Sequence, residues 1–238
     1  VLFGLPPAGA ACPVAHFAYP FGPRHVAVVR VEGRPHAALG FRFLVLAADL
    51  YRHLGDPFAV SDRFPVSWTD TGILPPLEWP PEPLPPRTVG DLQELLKSCD
   101  PAAEEMALLL GAAQVLVDGG TVLLQRPGPD ERLLRRLWQL LPNKTRAELW
   151  PASVVYAPDL RFDAAVTPDP TGPRHTEDGL KDYPRGNYEH RLQAAVEAGD
   201  QREFDALLAR RTGGDTLRLG LTIIAVAVAG AAAVKFLL

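Results

Sequence analysis

The sequence predicts an α+β protein: two small soluble domains of hairpins and helices, joined by a proline-rich linker and followed by a C-terminal transmembrane helix. Three observations carry this. Two β-branched and aromatic runs, His25–Glu32 and Ala38–Leu46, flank a Gly-Arg-Pro-His turn. Residues Pro75–Arg87 hold seven prolines in thirteen positions, which forces extended backbone. Residues Leu217–Leu238 carry no charge between Arg218 and Lys235.

In chain order, the first domain spans 1–74. Its opening residues, Val1–Pro23, are rich in proline and are expected to be irregular. The hairpin follows, then a short helix over Ala47–Leu54 with Leu50, Tyr51 and Leu54 on its apolar face. Gly55 closes that helix, and Asp56-Pro57 prevents its continuation. The linker, 75–87, is read as a spacer. The alternative is a polyproline II ligand, because Pro80 to Pro83 and Pro83 to Pro86 each satisfy P-x-x-P spacing, with Trp79 packed on a neighbour. Trp79, Pro80, Pro83 and Pro86 are therefore the candidate partner contacts.

The second domain spans 88–168. Thr88 with Asp91 three positions on signals the start of a helix running to about Ser98, with Leu92, Leu95 and Leu96 on one face. Asp100-Pro101 is expected to open another helix, aided by Glu104 and Glu105 at its positive end and ending near Gly111. Gln114–Val117 and Thr121–Gln125, separated by Asp-Gly-Gly, predict a hairpin. Asp130–Leu141 has an acidic start and an apolar stripe, so it predicts an amphipathic helix stopped at Pro142, and a short helix follows at Lys144–Leu149. Ala152–Ala157 and Arg161–Thr167 are expected strands around Pro158-Asp159. A polar loop over 169–187 and a helical pair over 188–211, broken at Gly199-Asp200, complete the soluble part.

The last segment, 217–238, is long enough to span a bilayer: 22 helical residues reach about 33 Å at 1.5 Å each. Its uncharged part, Leu219–Val234, is 16 residues, so Arg218 and Lys235 must extend their charges to the two interfaces. Ile223, Ile224, Val226, Val228, Val234 and Phe236 run round the helix, which with Leu217 leaves no polar face. Arg202, Arg210, Arg211 and Arg218 on the N-terminal side place the preceding domains in the cytoplasm, giving a single-pass, tail-anchored topology. Gly220, Gly230 and the alanines leave room for weak self-association. The alternative is a soluble protein whose C-terminal helix is core.

Net charge −4 and pI near 5.9 argue against a nucleic-acid partner. Cys12 and Cys99 form neither a metal motif nor a disulfide framework and fit a reducing compartment. The chain opens on Val1, without the charged and apolar regions of a signal peptide, as a piece of a longer chain would. Phosphate-loop, dinucleotide, zinc-protease and nucleophile-elbow motifs are all lacking. The six histidines show no metal-ligand spacing and are expected at the surface or in packing roles. Glu104-Glu105 is assigned to the helix dipole, Asp178 and Asp182 to solvent, and Ser153 to structure. Asn143-Lys144-Thr145 fits a glycosylation sequon that cytosolic placement leaves unused. Arg132, Arg135 and Arg136 are expected on a solvated helix face. No catalytic residue, cofactor or metal is expected.

Leu137-Trp138-Gln139-Leu140-Leu141-Pro142, Arg146, Leu149-Trp150-Pro151-Ala152-Ser153 and Phe162-Asp163 together resemble the middle region of the GTPase-associated adaptor proteins of bacterial conflict systems. The resemblance covers about a quarter of the chain and extends weakly to 43–58. It implies a non-enzymatic scaffold linking a small GTPase to an effector, with no active-site residues to carry over. The expected function is thus a membrane-tethered adaptor presenting cytosolic domains to a protein partner. The alternatives are an enzyme with a dispersed site and a structural spacer.

Overall fold

The computed structural model describes residues 14–34, 38–64, 85–101, 104–157, 161–168, 177–181 and 187–210. Strands β1 (Ala15–Pro20), β2 (His25–Arg34) and β3 (Ala38–Ala47) form an antiparallel meander. The predicted hairpin is β2 and β3, which pair from His25↔Ala47 to Arg34↔Ala38. Strand β1 corrects the expectation of an irregular start: Ala15 to Pro20 pair residue for residue with Val31 to Val26. The prolines bracket this strand instead of interrupting it, because Pro13 precedes it and Pro20 is its last residue.

Helix α1 (Ala48–Leu54) ends as expected at Gly55, whose left-handed φ of 60° lets its N–H return to the Tyr51 carbonyl. Asp56 then does more than stop a helix. Its carboxylate accepts from the N–H groups of Phe58 and Ala59 and starts α2 (Pro57–Ser61), with Pro57 in the first turn where its missing N–H costs nothing. Helix α3 (Val89–Lys97) has the reciprocal Thr88–Asp91 capping box that the spacing predicted.

Helix α4 (Glu105–Val117) overturns two expectations. Among the described residues it begins at Glu105, after Glu104 takes a positive φ of 52°, and it runs straight through Gly111 into the segment expected to be a strand. Gly111 is not a stop. A Cβ there would lie 2.1 Å from the backbone carbonyl oxygen of Leu180 in α7 (Glu177–Lys181), so glycine is what permits the two helices to approach. Asp118-Gly119-Gly120 is a helix terminus in place of a hairpin turn: their N–H groups return to the carbonyls of Gln114, Leu116 and Val115. Helix α7 itself lies in the segment expected to be a polar loop.

The remaining elements are β4 (Val122–Gln125), α5 (Glu131–Leu140), α6 (Asn143–Glu148), β5 (Pro151–Ala152), β6 (Ala164–Thr167), α8 (Asn187–Ala198) and α9 (Gln201–Leu208). Asp130 caps α5 through the Leu133 N–H, and Asp200 caps α9 after Gly199, as the helical pair predicted. The expected strands around Pro158-Asp159 are shorter than predicted, and they run parallel.

All six strands belong to one mixed sheet of order β3-β2-β1-β5-β6-β4. The segments 1–74 and 88–168, expected as separate units, therefore share a sheet through the pairing of Phe17 with Ala152. One row of paired residues crosses it: Phe43, Val29, Phe17, Ala152, Ala165 and Leu123. The opposite face carries the helices. Tyr51, Leu54 and Val60 pack on Val26, Val28, Leu44 and Leu46, while α4, α5, α8 and α9 pack on Val122, Leu124, Ala164 and Val166. The row face packs with Val154, Val155 and Phe162, and no residue of a described helix belongs to that cluster.

Linker positions Trp79, Pro80 and Pro83 and the proposed anchor, 217–238, lie outside the described residues; Pro86 is described and exposed. Among the described residues, no helix is long and apolar enough to cross a membrane.

Candidate functional site

Two surfaces stand out. The first lies on the row face, at the end of the sheet bounded by β3. Phe41 and Phe43 sit two residues apart on β3 and so point the same way, with ring centroids 6.4 Å apart and nearly parallel. On β2, Val29 lies opposite Phe43 and the small Ala27 opposite Val45, and beyond these on β1 are Phe17 and Tyr19. Aromatic walls over a small-residue floor make a trough of about 320 Å³, closed at one end by Pro20 and Phe21. Its interior side is braced by Phe162, which meets Phe17 and Tyr19 edge to face. Its outer side is open: Phe21 is 57% exposed, Phe43 52% and Phe41 37%. Val45 extends the apolar strip along β3. The intervening Arg42 faces the other way, 2.9 Å from Glu32. Beyond β3 no described strand pairs with its outer edge.

The second surface is a cleft of about 470 Å³ on the helical side, where α1, α6 and α9 meet the residues just before α3. Arg87 and Arg146 are its inner cations. Arg87 reaches across to the end of α5 and donates to the carbonyls of Gln139 and Leu141, both at 2.7 Å, and to the Asn143 side chain at 2.6 Å. These carbonyls have no successor turn to bind, so the guanidinium caps the helix. Burial, and then the neighbouring charge of Arg146, lower the Arg87 pKa to about 9, which leaves it protonated at neutral pH. Burial also pulls Arg146 down, with Asp56 opposing. The Arg146 side chain lies over Gly55, where a Cβ would stand 3.3 Å from its Nε. That Nε is buried with no hydrogen-bond partner.

A third polar cluster ties the sheet to α5. The His16 Nδ1 meets Glu131, which also accepts from Arg135 Nε at 2.6 Å, and Arg135 reaches Asp62 at 2.6 Å. Burial alone would raise the Glu131 carboxyl, but the His16 hydrogen bond and the Arg135 charge hold it below its ordinary value. His16 thus joins β1 to α5 through Nδ1, while its Nε2 is buried beside Phe64 with no hydrogen-bond partner. The expectation that the α5 arginines form a solvated face holds for Arg132 alone. Arg136 is largely buried and bonds Glu105 at 2.9 Å, and Glu105, itself buried, serves this pair as well as the helix start. Ser153 is buried and accepts from the His16 backbone N–H.

Of the candidate partner contacts, only Pro86 falls among the described residues, and it lines the arginine cleft. Neither surface is legible in the sequence. Phe41 and Phe43 look like ordinary strand residues, and alternation alone does not say which face is covered. Arg87 looks like the end of a spacer, because its acceptors lie 52 and 54 positions away. Among the described residues there is no group of three or more His, Cys, Asp or Glu side chains placed to hold a metal ion. Compared with family models, curated proteins and solved structures, the chain matches none.

Proposed function

We propose that this protein is a non-catalytic adaptor, tethered to a membrane by 217–238, that holds an extended segment of a protein partner against β3. The observation that carries the reading is the aromatic trough over β2, whose outer wall, Phe41 and Phe43, stands on β3, a strand with no described neighbour on its other side. A strand added there takes its main-chain hydrogen bonds from the alternate residues of β3 whose N–H and C=O groups point away from β2. Its alternate side chains then fall on the Phe41, Phe43 and Val45 side, so the occupant is a segment with apolar residues at every second position. Exposed apolar surface of this kind, concave and aromatic, is where binding energy concentrates. The resemblance to GTPase-associated adaptors supports a GTPase-linked effector as the class of partner. The arginines before Leu217 support a cytoplasmic placement of the trough.

Random displayed peptides selected on the full chain in nonionic detergent micelles test the trough. The expected winners alternate apolar and polar residues, and Phe43→Ser weakens them tenfold or more. Winners without that period, or undiminished binding to Phe43→Ser, would count against it. The tether is tested separately by carbonate washing of membranes bearing the full chain or a chain ending at Asp215. Retention of the full chain only supports the anchor; release of both, with unfolding of the shorter one, makes the last segment core.

A further inference from the structure

We infer that the arginine cleft binds the phosphate group of a small phosphorylated ligand. The cleft joins three guanidinium groups, Arg52, Arg87 and Arg146, against one carboxylate, Asp205. Arg52 is paired with Asp49 at 2.9 Å, so the cations whose described hydrogen-bond partners include no carboxylate are the inner two, Arg87 and Arg146, and an oxyanion is the kind of group that balances them.

The inner pair is what makes this a site. Like charges partly withdrawn from water repel each other and lose hydration, so a fold holds them adjacent only when something offsets the cost. Here the described partners do not. Every acceptor of Arg87 is a neutral carbonyl or amide oxygen, which fixes the group in place and leaves its charge whole. Arg146 makes no ion pair with a described carboxylate, and its Nε is buried without an acceptor. Asp56 acts on both arginines as a nearby charge, while its Oδ1 accepts from the N–H groups that start α2. Asp205 is held by Gln201 at 2.8 Å. An oxyanion entering the cleft supplies the countercharge that the described hydrogen-bond partners of the two arginines lack. The planar, multi-donor guanidinium is the side chain best matched to phosphate oxygens.

Shape points the same way. Gly55 lacks the Cβ that would stand 3.3 Å from the Arg146 Nε, so the side chain lies close against the end of α1. The volume, about 470 Å³, falls in the range of roughly 300–1,000 Å³ typical of small-molecule sites and exceeds what a lone phosphate fills. A concave pocket on a chain of net charge −4 suits a small molecule better than a polynucleotide backbone. The phosphate can belong to a soluble metabolite or to a lipid headgroup, and the chemistry at the arginines is the same.

The test is calorimetric titration of the full chain in nonionic micelles with pyrophosphate, against sodium chloride at equal ionic strength. Pyrophosphate is expected to bind the native chain, and Arg146→Met is expected to weaken it tenfold or more. Should Arg146→Met fail to fold, Arg52→Gln, at the exposed rim, is expected to weaken binding severalfold while melting as the native chain does. Mixed micelles containing a phosphatidylinositol monophosphate, compared with phosphatidylcholine alone, separate the sources. Pyrophosphate binding without preference for the phospholipid assigns a soluble ligand, and a preference lost in the arginine variants assigns a headgroup. Pyrophosphate binding no better than chloride, with no phospholipid preference, overturns the inference, as does binding that both arginine variants retain in full.

Discussion

The two ends of the row Phe43, Val29, Phe17, Ala152, Ala165 and Leu123 belong to one face of one sheet, yet Phe43 is half exposed and Leu123 is 1% exposed. Around Phe43 the strands are antiparallel and joined by short turns, so nothing requires the chain to cross the sheet there. Around Leu123 they are parallel, and between β5 and β6 the chain must leave the sheet and return, which lays Val154, Val155 and Phe162 over the row face there. The difference teaches a division of labour. The parallel half is covered on both faces, while the antiparallel half is covered by helices on one face and leaves Phe41, Phe43 and Val45 exposed on the other.

Leu123→Ala should break the parallel half. Removing a wholly buried side chain there is expected to cost about 2–5 kcal/mol in urea denaturation. A loss no greater than that of Phe43→Ala would erase the distinction between the two ends. Next in size is Gly111→Ala, which sets a methyl against the Leu180 carbonyl and must part α4 from α7. The expected loss is about 1–3 kcal/mol, and an unchanged melting temperature would mean that the contact is loose.

Glu131 sharpens the comparison, because its bond to His16 ties α5 to β1 across the two halves. Its folded-state pKa is depressed, so its contribution is present above the unfolded carboxylate value, roughly 4.3, and is lost as pH falls through the folded value. Glu131→Gln should therefore lower stability by about 1 kcal/mol at pH 7 and converge with the native chain toward pH 3. A constant gap across that range would show that the carboxylate charge is not what matters. The smallest effect on stability is expected from Phe43→Ser, within about 0.5 kcal/mol by thermal melting. A large loss there would make the trough part of the core.

Much of the local structure was legible. Thr88 with Asp91, Asp130 before its apolar stripe, Gly55, and Gly199-Asp200 each act on groups within a few residues, so their meaning survives without the rest of the fold. The role of Gly111 is not local, because its reason, the Leu180 carbonyl, is remote in sequence, and a glycine at a close approach looks like a glycine at a stop. The Asp-Gly-Gly run is ambiguous for a related cause: the same residues end a helix or turn a hairpin, depending on whether Gln114–Val117 is helical. Strand β1 was hidden among prolines, since the pairing that stabilises it comes from β2 and β5.

The sequence by itself determined the helix caps, the β2–β3 hairpin, the amphipathic α5 and the mixed α+β character. These follow from hydrogen bonds and side-chain periodicity over a few positions. Only the tertiary structure decided the order of the six strands, the exposure of Phe43 against the burial of Leu123, and the meeting of Arg87 with Arg146. Those depend on which distant segments pack together, where many small burial terms are summed over the whole core and no local residue pattern records the result.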